Sequence, residues 1–286
     1  MLKQHINKII LGTVQFGLNY GINNITGQVS RQNVKNILST CQENGIIKLD
    51  TSAAYGNSEQ VLGEFIGNDF DVISKYPRCD QSVQSVFKNS LVYLGIDQVY
   101  GYLIHHFDIF QECPSILDEL SLLKEKKKIR KIGFSIYKTK ELDFLLNNNI
   151  QFDLIQFPYN IFDRTFESYL HVLKERNIEI HIRSVFLQGL FFKDLETLPK
   201  KLHPLKVYLS ELNAFCREQS ISIEEVALNY AIHNKYIDGV LIGVDNPMQL
   251  INNINSIWDT YPLEVSDFIS LINIKEKELL HPNNWN

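Results

Sequence analysis

The sequence contains few cysteines, and none of them is in a paired arrangement. Four cysteines occur among 286 residues without a CxxC pair, namely Cys41, Cys79, Cys113 and Cys216. Zinc knuckles and disulfide frameworks need closely spaced or abundant cysteines, so this spacing argues against both. We therefore expect no bound metal and a reducing compartment, with the thiols serving as ordinary core or surface residues.

The chain also lacks a long apolar run and a strong excess of either charge. A membrane helix needs roughly 18 uninterrupted apolar residues, and no segment supplies them. The apolar run in the opening MLKQHINKIILG is too short for a signal peptide. The formal net charge of −5 implies no general attraction to nucleic acid or anionic membranes. We expect a soluble cytoplasmic protein whose partner is a small molecule.

No linker rich in proline, glycine or serine divides the chain, which predicts a single domain over residues 1–286. Short apolar runs alternate with amphipathic stretches, as expected for parallel strands joined by helices. The predicted strands are Ile46–Asp50, Asp71–Lys75, Val99–His105, Lys131–Ser135, Phe152–Gln156, Ile178–Arg183, Gly239–Val244 and Ile257–Tyr261. The predicted helices are Gln32–Glu43, Val83–Leu94, Ser115–Lys127, Glu141–Leu146, Phe166–Arg176 and Val207–Gln219. A capping-box pattern, Ser222 with Glu225, predicts the start of a further helix.

Eight strand–helix units predict an α/β fold, a (β/α)8 TIM barrel, because closing the sheet removes its exposed edges. The opening segment ILGTVQFGLNYG lies ahead of these units, and we expect an N-terminal β-hairpin there, or else a loop that reaches the top of the barrel. Catalytic groups of such barrels lie where the strands end, so the residue that closes each apolar run is a candidate. The candidates are Asp50, Lys75, His105, Ser135, Gln156, Arg183, Ser184 and Gly243.

The first three of these candidates, Asp50, Lys75 and His105, suggest together with a tyrosine a device for protonating a carbonyl oxygen. An ammonium near a phenol lowers the phenol's pKa, so Lys75 is expected to make Tyr55 a better acid. Asp50 would hold Lys75 in place by an ion pair, and His105 would orient the carbonyl oxygen. No Ser/His/Asp order, GxSxG elbow, HExxH helix or carboxylate cluster supplies a nucleophile or a metal, so a hydride donor such as a nicotinamide is the natural complement.

Other interpretations remain open at this point. Each of the four residues has a purely structural interpretation, such as a helix cap, a packed aromatic ring or a solvated strand end. Lys75 could instead act as the nucleophile of a Schiff-base aldolase on a similar barrel. A third possibility is a regulatory or structural subunit that binds the cofactor without turnover.

Several strings give the chain a resemblance to the aldo-keto reductase family, and in particular to a bacterial branch of it. They are KIILGTVQFGL, GIIKLDTSAAYGNSEQVLG, ISK, LIHH, KIRKIGFS, DLIQFPYN, RSVFLQGLF and VLIGVDNPMQLINNI. The resemblance implies an NAD(P)H-dependent oxidoreductase that reduces an aldehyde or ketone, with sugar-derived carbonyls as one substrate class. It also implies a catalytic tetrad of Asp50, Tyr55, Lys75 and His105.

The same resemblance implies a dinucleotide that lies extended across the barrel mouth without a Rossmann domain. Members of this family usually use NADP(H), so the resemblance implies NADP(H) rather than NAD(H). The implied cofactor-binding residues are Thr13, Val14, Asp50, Ser135, Gln156, Arg183, Ser184, Val185, Phe186, Gln188, Gly189, Leu190, Gly243, Val244, Gln249 and Asn253. The candidates for the substrate pocket are Phe16, Tyr20, Tyr76, His106, Phe107 and Phe186.

The chain departs from the family pattern at three places. Ile136 follows Ser135 where many members have asparagine, and Arg183 stands where an aromatic residue commonly stacks under the nicotinamide. Gly243 and Gln249 replace the lysine and arginine that usually hold the 2′-phosphate of NADPH. Asp245 adds a negative charge beside them. A 2′-phosphate would therefore find few fixed cations in this segment.

Overall fold

A computed structural model describes residues 5–285, which form a closed barrel of eight parallel strands, confirming the predicted TIM barrel. The strands are β1 Ile9–Gly12, β2 Lys48–Asp50, β3 Asp71–Tyr76, β4 Val99–Ile104, β5 Ile129–Ser135, β6 Leu154–Pro158, β7 Glu179–Arg183 and β8 Gly239–Gly243. The helices are α1 Val14–Gly17, α2 Arg31–Glu43, α3 Ser58–Gly63, α4 Val83–Leu94, α5 Phe107–Glu112, α6 Ile116–Glu125, α7 Thr139–Asn147, α8 Leu170–Glu175, α9 Lys206–Gln219, α10 Ile223–Ile232, α11 Pro247–Asn255 and α12 Leu263–Leu271. Short 3-10 turns cover Glu167–Tyr169, Leu187–Phe192, Leu195–Thr197, Lys200–Leu205, Lys277–Leu280 and Pro282–Asn284. Within residues 5–285, no helix has both the length and the apolar character needed to cross a bilayer.

The predicted N-terminal hairpin is wrong, because the opening segment supplies the first strand of the barrel itself. Strand β1 pairs in parallel with both β2 and β8, so it closes the sheet. The predicted strand Ile257–Tyr261 is wrong as well. Ile257 is buried, and the backbone N–H of Trp258 donates to Asn229 Oδ1, so this segment packs against α10 instead of pairing in the sheet. Its apolar residues cover a helix, which periodicity alone does not distinguish from a short strand.

Most predicted helices occur within a few residues of their expected bounds. Helix α4 matches the prediction Val83–Leu94, and the capping box of Ser222 with Glu225 starts α10. The stretch predicted as one helix over Phe166–Arg176 is a 3-10 turn followed by α8. These helices surround the barrel and leave the carboxyl ends of its strands free for a site.

The middle of the barrel is filled by an apolar layer. One inward side chain comes from each of five strands, and all are buried: Ile10, Ile73, Leu103, Leu154 and Leu241. A layer of this kind makes the barrel a packed core and not a pore. Polar chemistry on the inside is therefore divided between the two ends of the barrel.

The amino-terminal end of the barrel is organised around one carboxylate. Glu179 accepts hydrogen bonds from Lys48 Nζ at 3.0 Å, Tyr100 Oη at 2.6 Å and His181 Nε2 at 2.7 Å. Lys131 Nζ forms a further ion pair with it at 2.5 Å. Burial alone would raise the pKa of Glu179, but hydrogen bonds from His181, Lys131 and Tyr100 bring it below its ordinary value. The carboxylate thus ties β2, β4, β5 and β7 together.

Replacing Glu179 by alanine is expected to lower the free energy of unfolding by roughly 3 kcal/mol, since Lys48 and Lys131 lose their buried partner. Urea denaturation of the full chain measures this. The control is Glu64→Ala, which removes the exposed Arg31–Glu64 pair and should cost less than about 1 kcal/mol. Equal losses for the two variants would contradict the structural role of Glu179.

Candidate active site

A cavity of about 490 Å³ opens at the carboxyl ends of the barrel strands. Its volume falls within the usual range for small-molecule sites, about 300–1,000 Å³. Most of the residues predicted from the sequence line it. They are Thr13, Val14, Asp50, Tyr55, His105, Ser135, Gln156, Arg183, Ser184, Val185, Phe186, Gln188, Gly189, Gly243, Val244, Gln249 and Asn253.

Two of the predicted catalytic and cofactor-binding residues lie off the cavity wall. Lys75 is fully buried directly behind Asp50. The side chain of Leu190 belongs to an apolar cluster with Leu187 and Phe191, so it faces the protein interior and not the cavity. The prediction of Leu190 as a cofactor contact therefore finds no support in the position of its side chain.

The predicted substrate-pocket residues divide into two groups. Tyr20 and Phe186 line the cavity. Phe16, Tyr76 and Phe107 are buried in the main core and do not reach it. His106 stacks on the ring of His105 with 4.6 Å between the ring centroids, but it does not line the cavity.

Asp50 and Lys75 form a buried ion pair at the base of the cavity. Lys75 Nζ donates to Asp50 Oδ1 at 2.5 Å and to the carbonyl oxygen of Thr51 at 2.8 Å. The second carboxylate oxygen of Asp50 accepts from Gln156 Nε2 at 2.8 Å. Burial lowers the pKa of Lys75, whereas the charge and hydrogen bond of Asp50 oppose that change. The pair joins the ends of β2, β3 and β6.

Tyr55 is held above this pair by an unusually close backbone contact. A Cβ atom at Gly17 would lie 1.8 Å from the carbonyl oxygen of Tyr55, and one at Gly56 would lie 2.4 Å from the carbonyl oxygen of Gly17. Gly56 also has φ of 56°, which favours glycine. Ser58 Oγ adds a hydrogen bond of 2.9 Å to the carbonyl oxygen of Thr13. Only glycines at these two positions allow the loop to press against α1, which fixes the tyrosine.

The pKa of Tyr55 moves opposite to the direction expected from the lysine alone. Lys75 Nζ lies 5.2 Å from the centre of the Tyr55 ring. Even so, burial raises the pKa of Tyr55, the charge of Asp50 raises it further, and Arg183 opposes them. The net shift is therefore a rise and not the expected lowering, because burial and the charge of Asp50 outweigh the opposing positive charge. The phenol keeps its proton at neutral pH, as a proton donor must.

His105 is oriented by a residue that the sequence interpretation missed. Ser52 Oγ lies 3.0 Å from His105 Nδ1, and the same oxygen accepts from the backbone N–H of Ala54 at 3.1 Å. The Ser52 hydroxyl can therefore donate its proton to Nδ1, and in that arrangement the ring proton lies on Nε2. Burial and then the charge of Lys75 lower the pKa of His105 to about 2, so the ring is neutral. Ser52 lies within the string DTSAAYG and could have been noticed there.

Arg183 occupies the place where the family resemblance led us to expect an aromatic ring. Its guanidinium lies 3.9 Å from the centre of the Tyr137 ring, and its Nη2 donates to the carbonyl oxygen of Ile136 at 3.1 Å. A planar guanidinium stacks well on an aromatic face, and this contact holds the charge at the cavity wall. The charge is close enough to affect both Tyr55 and His105.

A further feature is a segment that crosses the cavity, which we call the strap, residues 20–24; its first two residues belong to the opening segment ILGTVQFGLNYG, for which a loop reaching the top of the barrel was the alternative expectation. The backbone N–H of Ile22 donates to the carbonyl oxygen of Gln188 at 3.1 Å, and Asn23 Nδ2 donates to that of Gly189 at 2.7 Å. Gly189 has φ of 88°, which brings its carbonyl toward the strap. These bonds connect the loop after α1 to the loop after β7, so the cavity is partly roofed.

Comparison with known proteins supports one family. A family model described as Aldo/keto reductase family matches residues 8–273. L-galactose dehydrogenase of Arabidopsis thaliana is 29% identical over 244 residues, which cover 75% of each chain. An uncharacterized oxidoreductase of Bacillus subtilis is 25% identical over 248 residues, covering 77% of this chain and 80% of its own. In its holo form, an aldo-keto reductase of Bacillus halodurans superimposes with a TM-score of 0.75 at 19% identity, covering 95% of both chains.

The orientation of His105 leads to a prediction. Replacing Ser52 by alanine should remove the preference for the tautomer with the proton on Nε2, because Nδ1 loses its donor. Two-dimensional ¹H–¹⁵N spectra of the imidazole nitrogens report the tautomer directly. Ser52→Thr keeps the hydroxyl and should preserve the preference. An unchanged tautomer in Ser52→Ala would show that the serine does not orient the ring.

Proposed function

The chain belongs to the aldo-keto reductase family, and on that premise we propose that it reduces an aldehyde or ketone to an alcohol with NAD(P)H, using Tyr55 as general acid. One observation carries the proposal. Tyr55 and His105 line the same part of one cavity, and the Asp50–Lys75 pair lies directly beneath them. This grouping brings a proton donor, a neutral hydrogen-bond donor and a buried ion pair together at one place.

The residues on the cavity wall fit a nicotinamide dinucleotide. Gln156 uses its side-chain N–H group for Asp50, which leaves its carbonyl oxygen available to the amide of a nicotinamide. Ser135 stands beside it, since the ends of β5 and β6 are paired at these two residues. Gln15 Oε1 is buried and has no hydrogen-bond partner within residues 5–285. These polar groups on the wall match a polar, extended ligand.

The proposed reaction uses each residue of the tetrad once. A bound reduced nicotinamide supplies hydride to the carbonyl carbon. Tyr55 donates its proton to the carbonyl oxygen as negative charge develops there. The Nε2–H group of His105 donates a hydrogen bond that orients the same oxygen. Asp50 and Lys75 hold the base of the site in place, and the charge of Arg183 opposes the raised pKa of Tyr55 and so favours the phenolate that remains.

The rival hypotheses have less support. A Schiff-base lysine must reach its substrate, but Lys75 is buried behind Asp50 and donates to Asp50 and Thr51. A regulatory subunit would not need a tyrosine and a histidine directed into the same cavity. Borohydride treatment with a carbonyl substrate is therefore expected to leave Lys75 unmodified.

The substrate class that we favour is a sugar-derived carbonyl. Aromatic rings and side-chain amides line the cavity, including Tyr20, Asn24, Tyr137, Phe192 and Asn283. Such a lining offers flat apolar faces together with donors and acceptors for several hydroxyl groups. The 29% identity with a plant L-galactose dehydrogenase agrees with this choice. Family habit alone would make NADP(H) the expected dinucleotide.

Replacing Tyr55 by phenylalanine is expected to lower kcat for carbonyl reduction by about 10²–10⁴-fold, the usual contribution of a general acid. Loss of nicotinamide absorbance with a panel of sugars and small aldehydes measures the rate. Tyr137→Phe is the control, because it removes a hydroxyl from the same cavity and keeps the ring under Arg183. Full activity of Tyr55→Phe would refute the proposed role.

The pH dependence of kcat follows from the two pKa shifts. Burial and Asp50 raise the pKa of Tyr55, and burial with the Lys75 charge lowers that of His105 to about 2. Tyr55 therefore stays protonated and His105 stays neutral between about pH 6 and 8. A plot of kcat against pH, measured with saturating nucleotide, should be flat in this window. A step near pH 6.5 that disappears in His105→Gln would contradict this.

A further inference from the structure

The cavity has a reactive part and a part remote from it. Tyr55 and His105 mark the reactive part. The cavity continues across the end of β8 to the beginnings of α10 and α11, where Glu224, Asp245 and Gln249 line it. If the proposed function is right, the nicotinamide must lie beside Tyr55. The adenosine half of the dinucleotide then extends into the remote part.

The remote part contains no cation within residues 5–285. Arg183 is the one lysine or arginine among the described residues that line the cavity, and it is held near the reactive part by Tyr137 and Ile136. Glu224 and Asp245 instead place two carboxylates in the remote part. The 2′-phosphate of NADPH, as a phosphomonoester, carries a charge of roughly −1.5 to −2 at neutral pH. It would meet repulsion there and no compensating charge.

The start of α11 is also a poor anion site, although a helix N-terminus usually attracts phosphate. Pro247 is the first residue of this helix and has no backbone N–H to donate. The N–H of Gln249 already donates to Asn246 Oδ1 at 3.0 Å. Two of the first three residues of this helix, Pro247 and Gln249, therefore have no backbone N–H available for a phosphate.

The same residues suit an unmodified ribose. The backbone N–H of Asp245 donates to Gln249 Oε1 at 2.7 Å, and the Gln249 side chain also forms a hydrogen bond with the Asp245 carboxylate, so this side chain is fixed. The Asp245 carboxylate still has acceptor positions beyond its hydrogen bond with Gln249, because two carboxylate oxygens can accept several hydrogen bonds. A carboxylate that accepts from ribose hydroxyls is the usual way in which proteins recognise a dinucleotide without a 2′-phosphate.

We propose that this remote part selects the dinucleotide that lacks a 2′-phosphate, so the protein uses NAD(H) in preference to NADP(H). The Asp245 carboxylate accepts hydrogen bonds from the ribose hydroxyls, and its negative charge repels a phosphate. Gln249 acts by offering a neutral amide where a phosphate would need a cation. The proposal rests on the proposed function and departs from the family habit.

The test is a fluorescence titration of the full chain with NADH and with NADPH at equal ionic strength. The Kd for NADH should be lower by at least about tenfold, the factor given by a free-energy difference of 1.4 kcal/mol. Gln249→Arg supplies a cation at an exposed position and should shift the ratio of the two Kd values toward NADPH by about tenfold or more. Asp245→Asn removes the repulsion and should shift it in the same direction. The control is Asp118→Asn on α6, which makes the same change of charge at an exposed residue outside the cavity and should leave the ratio unchanged.

The outcomes separate this inference from the proposed function. Equal or tighter binding of NADPH by the unaltered protein overturns the inference and leaves carbonyl reduction standing. Binding of neither nucleotide overturns both. A Gln249→Arg variant that still binds NADH but keeps the original ratio shows that the adenosine ribose lies elsewhere, which also overturns the inference.

Discussion

The ion pair between Asp50 and Lys75 is the constraint on which the site depends. Two charges almost completely removed from water are stable only when further hydrogen bonds compensate their lost hydration. The carbonyl oxygen of Thr51 and the amide of Gln156 provide these bonds. The pair therefore fixes three strand ends relative to one another, and it sets the charges that act on the tyrosine and histidine above it.

The electrostatic differences along the cavity follow from the barrel's construction. An apolar layer through Ile10, Ile73 and Leu103 separates the charged cluster around Glu179 from the opposite rim, so that cluster is structural. At the rim, burial keeps Tyr55 protonated and His105 neutral. Farther out, Asp245 is only half buried and adds negative charge. One cavity thus combines a shielded reactive part with a more open acidic part.

Several features could be predicted from the sequence because they depend on local pattern and on strand ends. Alternating apolar and amphipathic stretches indicated the barrel, and the residues that close each apolar run proved to share one rim. The first strand was missed because it has only four residues, ends in Gly12 and is followed by Thr13, a pattern that also fits a turn. An apolar stretch that covers α10 was mistaken for a strand, since burial against a helix and pairing in a sheet leave the same short signature.

The sequence by itself determined the order of the chemistry-bearing residues and the kind of fold that would bring them together. It also determined the shortage of cations in the segment after β8. Only the tertiary structure decided that Asp50 would counteract Lys75, that Ser52 would orient His105, and that Leu190 would face the core. Periodicity reports which side of an element is buried, whereas pKa values and ring orientation depend on distances between residues far apart in the chain.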